Sequence, residues 1–120
     1  MTTTDTTPAV QAADVLDKAA EHLLEVGLHK GYLYDEQQAL DGLALNRCKV
    51  DAVGAILAAA YGQPRYPATE PVINLTDIAL DALEAKVGAP PVVWNDETER
   101  TVDEVFDALA ATAARLRESV

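Results

Sequence analysis

The sequence predicts an all-α fold, or an α-rich fold with a short hairpin, in which about four helices pack around a central helix rich in alanine and glycine. Apolar residues recur at helical spacing in three long stretches, and residues 52–60 form a further stretch without any polar side chain. Alanine supplies 22 of the 120 residues, whereas aromatic residues supply only 5%. We therefore expect a core built mainly from Ala, Leu and Val.

The first predicted helix begins at Thr7-Pro8, because threonine is a suitable N-cap and proline is favoured at the first helical position. Its apolar residues, Leu16 and Leu23 among them, fall on one side of a helical wheel and its acidic residues on the other. Gly27 is a typical helix stop. We expect residues 1–7 to form a disordered tail and residues 8–118 a single helical domain.

Residues 28–46 are compatible with two local structures. The apolar-rich runs 32–34 and 43–45 could pair as a hairpin, with Asp41-Gly42 as the turn signal. Residues 36–40 are also compatible with one helical turn. The sequence favours an irregular or hairpin-like excursion.

The central helix is predicted over Arg47 to Tyr61 and is apolar on all sides after Asp51. Gly54 costs about 1 kcal/mol relative to alanine inside a helix. We therefore expect another helix to approach closely at Gly54. Gly62 ends this helix.

Three prolines mark residues 63–71 as a loop, and the third helix is predicted over about Leu75 to Val87 with Asn74 as its N-cap. Residues 92–94 are predicted to be extended. A capping box in which Thr101 caps and Glu104 reaches back starts the fourth helix.

The net charge is −11, from 9 basic and 20 acidic residues. It argues against direct binding to nucleic acid or anionic lipid, both of which favour a basic face. The longest nearly uncharged apolar stretch, residues 52–61, is half of the roughly 20 residues that a membrane span needs. Residues 1–7 contain neither a basic nor an apolar run, so we expect no secretory signal, and a single cysteine, Cys48, suits a reducing compartment. These features predict a soluble cytoplasmic protein.

Three stretches of the chain carry a resemblance to a known family: residues 26–31, residues 51–56, and Trp94-Asn95-Asp96 with the following Arg100-Thr101. They resemble, from about residue 9 to residue 117, a family of small actinobacterial and actinophage proteins. The matching stretches of that family have the patterns W-x-Q-G, C-A-x-G-A-L, and W-N-D followed by R-T. Here Leu28, Lys30 and Asp51 stand where Trp, Gln and Cys are common. The family is one of unknown function, so the resemblance implies a host range and no activity.

The cluster Trp94, Asn95, Asp96 and Arg100 is the most distinctive candidate site. If the cluster is a ligand site, the Trp94 indole would stack on the ligand and Arg100 would bind an anionic group. Asn95 and Asp96 would form hydrogen bonds to it. If the cluster is structural, the Trp94 side chain would fill the core between the third and fourth helices. Asn95 and Asp96 would then form the turn, and Arg100 and Thr101 the start of the fourth helix. The structural interpretation is favoured, because each residue already has such a local role.

His22, Glu25, His29 and Cys48 are residue types that bind metals, but Gly27 interrupts their helical spacing and no paired ligand motif is present. We predict no metal and no cofactor. A nucleophile–base pair of Cys48 and His29 would require the fold to juxtapose them, and a lone buried cysteine is favoured instead. Asp51 is either a buried acid or base with a raised pKa, or a first-turn residue paired with Arg47 or Lys49; the second interpretation is favoured.

Tyr32, Tyr34, Tyr61 and Tyr66 lie in loops or at the end of the central helix. They are suited either to contact a partner or to cover the core, and the sequence favours neither. Tyr32, Tyr34 and His29 join the tryptophan cluster as candidate contact residues.

Three functions are compatible with these observations. The leading one is a non-enzymatic interaction or accessory module whose partner is another protein or a second copy of the chain. The alternatives are a small-molecule binder or minor enzyme near Trp94 and Arg100, and an acidic decoy that mimics nucleic acid. No catalytic residues are predicted.

Overall fold

Helices dominate the computed structural model, which describes residues 7–119. The described residues contain six α-helices, one 3₁₀ turn and no strand, so the all-α prediction is confirmed. The predicted tail, apart from Thr7, lies outside the described residues. The elements are α1 (Pro8–Val26), α2 (Glu36–Leu40), a 3₁₀ turn (Leu45–Arg47), α3 (Ala52–Tyr61), α4 (Val72–Val87), α5 (Pro91–Asn95) and α6 (Val102–Glu118).

Helix α1 packs against α3, α4 and α6. The Thr7 hydroxyl accepts a hydrogen bond from the Val10 N–H (3.3 Å), as an N-cap does. The N–H of Gly27 closes the helix by donating to the Leu23 carbonyl (2.8 Å). Both predicted ends are confirmed. The buried face consists of Ala12, Ala13, Val15, Leu16, Ala19, Ala20 and Leu23.

Helix α3 is buried on all sides over Ala52–Leu57, as its composition predicts. It begins five residues later than predicted, because Asp51 is its N-cap and residues 45–47 form the separate 3₁₀ turn. The predicted close approach at Gly54 exists, but its partner is not a helix. A Cβ built at Gly54 would lie 1.9 Å from the backbone oxygen of Leu33, in the segment between α1 and α2.

That segment, residues 28–35, is held against Val50. The N–H of His29 donates to the Val50 carbonyl (2.8 Å), and Leu28 and Tyr34 each form an isolated bridge with Val50. The predicted hairpin is therefore wrong, because residues 32–34 pair with a later part of the chain instead of residues 43–45. The alternative, a helical turn over residues 36–40, is confirmed. Asp35 caps it by accepting from the backbone of Gln37 and Gln38.

Among the later helices, α4 and α5 differ from the prediction at their starts, whereas α6 agrees with it. Helix α4 begins at Val72, so Asn74 lies inside it and is not its cap; the Glu70 side chain accepts from the Asn74 N–H (2.8 Å). Residues 91–95, predicted to be extended in part, form α5 with Pro91 at the first helical position. The predicted capping box of α6 is present in full. None of the helices between residues 7 and 119 has the length and hydrophobicity that a membrane span requires.

Candidate functional site

Asn95, at the end of α5, is completely buried and connects three parts of the chain. Its Oδ1 accepts from the backbone N–H of Ala52, at the start of α3 (2.9 Å). Its Nδ2 donates to the carbonyl of His29 (3.1 Å) and to Oδ1 of Asp96 (3.1 Å). A buried amide with all these partners holds the segment before α2 against α3 and α5.

Two further side chains, Asp96 and Lys30, join the same segments. Oδ1 of Asp96 accepts from the Gly31 N–H (3.1 Å). The Lys30 ammonium donates to the backbone carbonyls of Glu97 and Thr98. The turn after α5 is therefore joined to residues 29–31 through both side chains and backbone.

The Arg100 guanidinium lies 4.0 Å from the centre of the Trp94 ring, a cation–π geometry. Its Nε donates to the Trp94 carbonyl (3.0 Å), and its terminal nitrogens lie 2.6 Å from Glu97 and 3.6 Å from Glu104. The Arg100 side chain is only 16% exposed. These contacts use the donors that an anionic ligand would need.

Asp51 is 1% exposed, and its Oδ1 accepts a 2.6 Å hydrogen bond from the Gly54 N–H. Burial raises the pKa of this carboxyl to about 7, and the negative charge of Asp96 acts in the same direction. Backbone hydrogen bonds, that from Gly54 foremost, oppose this increase. Asp51 is the N-cap of α3 and precedes its first turn, and its burial and raised pKa agree with the alternative interpretation of this residue. The favoured ion pair is not found: Arg47 lies 3.9 Å from Glu25, and Asp51 has no ion pair within residues 7–119.

A cleft of about 280 Å³ opens beside this carboxyl, and we name it the Asp51 cleft. Asp51 is buried in its wall, whereas Asp96 is exposed. The cleft is thus both acidic and apolar. Its lining residues are Gly31, Tyr32, Leu33, Asp51, Val92 and Asp96.

A larger groove of about 420 Å³ adjoins the cleft through two shared residues, Tyr32 and Leu33. The rings of Tyr32 and Tyr34 meet edge to face with centroids 5.3 Å apart. Partial burial and the nearby Asp51 raise the pKa of the Tyr66 hydroxyl. We call this surface the tyrosine groove; it is lined by Tyr32, Leu33, Tyr34, Leu45, Pro64, Arg65 and Tyr66.

A family model matches most of the chain. A family described as a family of unknown function, DUF6197, matches residues 7–115, nearly the whole chain. The chain belongs to this family. The unknown-function family that the resemblance implies is thereby confirmed. No curated protein and no solved structure matches the chain.

The DUF6197 chain places six of its seven predicted contact residues in the tyrosine groove, the Asp51 cleft and the cluster around Trp94. Tyr32 and Tyr34 line the tyrosine groove, and Asp96 lines the cleft. Trp94, Asn95 and Arg100 form the adjoining structural cluster. His29 contributes its carbonyl to Asn95, and its ring lies 4.0 Å from Asp35.

The other reactive side chains stand apart from the groove. Burial raises the pKa of the Cys48 thiol, which donates to the Ala44 carbonyl (3.4 Å), so it lacks the activation that a nucleophile needs. Burial also lowers the pKa of His22, whose Nε2 has no hydrogen-bond partner in the described structure. Residues 7–119 contain no group of three side chains suited to hold a metal ion.

Sequence reasoning missed Leu33, Leu45, Arg65 and the small pocket beyond Tyr66. That pocket, of about 80 Å³, is lined by Tyr66, Pro67, Ile73, Thr76 and Asp77. The hydroxyl of Thr76 is buried there without a hydrogen-bond partner in the described residues. Leu33 was detectable in principle as an apolar residue between two loop tyrosines. Nothing in the sequence around Arg65 or Thr76 indicates that either residue lines a groove or a pocket.

Proposed function

We propose that this DUF6197 chain is a non-enzymatic interaction module that holds an extended segment of another protein in the tyrosine groove. The observation that carries the proposal is the groove itself, an open aromatic surface that contains Arg65. Tyrosine and arginine are enriched at the centres of protein interfaces. Tyr66 is 62% exposed, so much of its ring is available for burial by a partner.

Backbone hydrogen bonds to buried residues hold one wall of the groove in place, which limits the conformational entropy that binding would cost. The carbonyl of Leu33 accepts from the Asp51 N–H (3.2 Å), and Tyr34 bridges to Val50. Both Asp51 and Val50 are buried. A wall held in this way is suited to receive a partner without rearrangement.

The alternatives receive less support. A small-molecule site at Trp94 and Arg100 would have to displace the contacts that Arg100 makes with Glu97 and with the Trp94 carbonyl. A decoy of nucleic acid needs rows of free carboxylates. On this surface Arg117 lies 2.8 Å from Asp14 and 2.7 Å from Asp17, so part of the acidic surface is locally neutralised.

The proposed partner is a different protein. Two copies of a chain with a net charge of −11 repel each other, which disfavours a homo-oligomer. A basic partner would be attracted by the same charge. The free, buried Cys48 fits the reducing cytoplasm that we propose as the location.

The test is affinity purification from the source cells with paired tyrosine variants. Tyr66→Ser should remove the specific partner, whereas Tyr61→Ser, a similarly exposed tyrosine at the end of α3, should retain it. Retention of the same partner by both Tyr66→Ser and Tyr32→Ser would contradict the proposal. So would concentration-dependent dimerisation in sedimentation that Tyr66→Ser abolishes, because the occupant would then be a second copy.

A further inference from the structure

We infer that the segment bound in the tyrosine groove presents a lysine side chain, whose alkylammonium group enters the Asp51 cleft. This inference rests on the proposed function and names the chemistry that the site recognises. It follows from three observations: the two cavities are continuous, the cleft carries two carboxyl groups that have no ion pair within residues 7–119, and one oxygen of each carboxyl group already accepts hydrogen bonds.

The groove and the cleft form one continuous surface. Tyr32 and Leu33 line both, so a chain lying in the groove passes directly over the mouth of the cleft. Leu33 and Val92 offer apolar contact to the methylene groups of a long side chain. The exposed Asp96 and the buried Asp51 then lie near the end of that side chain.

The charges of the cleft have no cation to balance them. The cationic side chains beside the turn after α5 are already engaged, Lys30 with the carbonyls of Glu97 and Thr98, and Arg100 with two glutamates. Arg65, which lines the adjoining groove, forms no ion pair with Asp51 or Asp96. Asp51 has no ion pair within the described residues. An incoming cation would therefore gain interactions that no part of residues 7–119 supplies. The ring of Tyr32 adds a further favourable contact for a cation.

The available oxygen atoms favour an ammonium over a guanidinium. Oδ1 of Asp51 already accepts from Gly54, and Oδ1 of Asp96 accepts from Gly31 and Asn95. A guanidinium binds best when both oxygens of one carboxylate are free for a parallel pair of bonds. An ammonium is a point charge that can take one oxygen from each of two carboxylates.

Away from the cleft, two polar side chains in or next to the groove lack a partner within the described residues. Thr76, 2% exposed, has an unpartnered hydroxyl in the small pocket next to Tyr66. The Arg65 guanidinium, which lines the groove, has no hydrogen bond or ion pair with any residue of the described chain. The Thr76 hydroxyl is fully buried, so it is the Arg65 guanidinium that can donate to the peptide carbonyls of an extended segment.

The experiment is an NMR titration at pH 8 with blocked pentapeptides. One peptide carries a central lysine between two leucines, and its matched controls carry norleucine or arginine at that position. We expect the lysine peptide to shift the amide signals of Gly31 and Asp96 and to bind about tenfold more tightly than the norleucine peptide. Asp51→Asn and Asp96→Asn should each remove most of this preference, whereas Asp107→Asn, an exposed acid on α6, should leave it unchanged.

Each outcome separates the inference from the function on which it rests. If norleucine binds as tightly as lysine, the cation assignment is wrong while the groove remains a peptide site. If arginine binds more tightly than lysine, the ammonium preference is wrong. If no peptide shifts the cleft amides of the folded wild-type chain, the inference is overturned, and the Tyr66→Ser purification still tests the function independently.

Discussion

The backbone oxygen of Leu33 lies where a side chain on Gly54 would begin. A Cβ at Gly54 would be 1.9 Å from this oxygen and 2.9 Å from the carbonyl carbon of Leu33. The same oxygen accepts the Asp51 N–H, immediately before α3. The absence of a side chain at Gly54 thus lets the wall of the tyrosine groove rest directly on α3.

Gly54→Ala should therefore destabilise the protein by about 2–4 kcal/mol, although alanine is the better helix former by about 1 kcal/mol. The clash is with backbone, so a second substitution, Leu33→Ala, should not restore stability. Urea unfolding of the single and double variants measures this difference. Unchanged stability of Gly54→Ala would show that residues 28–35 do not pack on α3 in this way.

Asn95→Ala should cost about 3 kcal/mol, because it leaves the buried Ala52 N–H and the His29 carbonyl without partners and opens a small void. Asn74→Ala is the matched control. Asn74 is exposed on α4, so its loss should change the free energy of unfolding by less than about 0.5 kcal/mol. Equal unfolding midpoints for the two variants would contradict the structural role of Asn95.

The pKa of Asp51 makes the stability of the protein depend on pH. The folded-state pKa is raised from 3.8 to about 7, with Asp96 and the Tyr66 hydroxyl as its titratable neighbours. Between these two values the unfolded chain releases the proton while the folded chain keeps it. This group therefore contributes stability that is fully present below pH 3.8 and is lost as the pH rises to about 7.

Asp51→Asn should then stabilise the protein at pH 8 by about 2–4 kcal/mol more than at pH 4, because asparagine is also a good N-cap and carries no charge. The measurement is the difference in free energy of unfolding between variant and wild type at pH 4, 6 and 8. Asp107→Asn should give a nearly flat difference. A flat difference for Asp51→Asn as well would mean that the carboxyl is not desolvated in solution.

The long helices were predictable from the sequence because their signals are local. Thr7-Pro8 and the pair Thr101 and Glu104 lie next to the apolar stripes that they start, and both form the caps expected of them. Pro91 carried a similar signal for α5. The β-branched pair that follows it favoured an extended strand, and the structure shows that the proline at the first helical position prevails.

The groove was not predictable, because its walls come from distant parts of the chain. Residues 32–34, Leu45 and residues 64–66 line it together, and its first wall is positioned by pairing of both Leu28 and Tyr34 with Val50. A local pattern cannot reveal that one buried residue bridges two positions of an earlier segment. For the same reason, burial of Asp51 was the less favoured of its two interpretations, since it depends on Leu33 covering the start of α3.

Arg100→Lys tests whether the tryptophan cluster is structural. In the wild type, the planar guanidinium stacks on the Trp94 ring while its Nε donates to the Trp94 carbonyl. Lysine keeps the charge, but its ammonium has no planar group and cannot make both contacts at once. We expect a loss of about 1 kcal/mol in the free energy of unfolding, together with a change in tryptophan fluorescence. Arg115→Lys, at an exposed position on α6, is the matched control and should change neither quantity. If Arg100→Lys is equally silent, the guanidinium is not needed for the fold, and a ligand role for Arg100 becomes the better explanation of its position over Trp94.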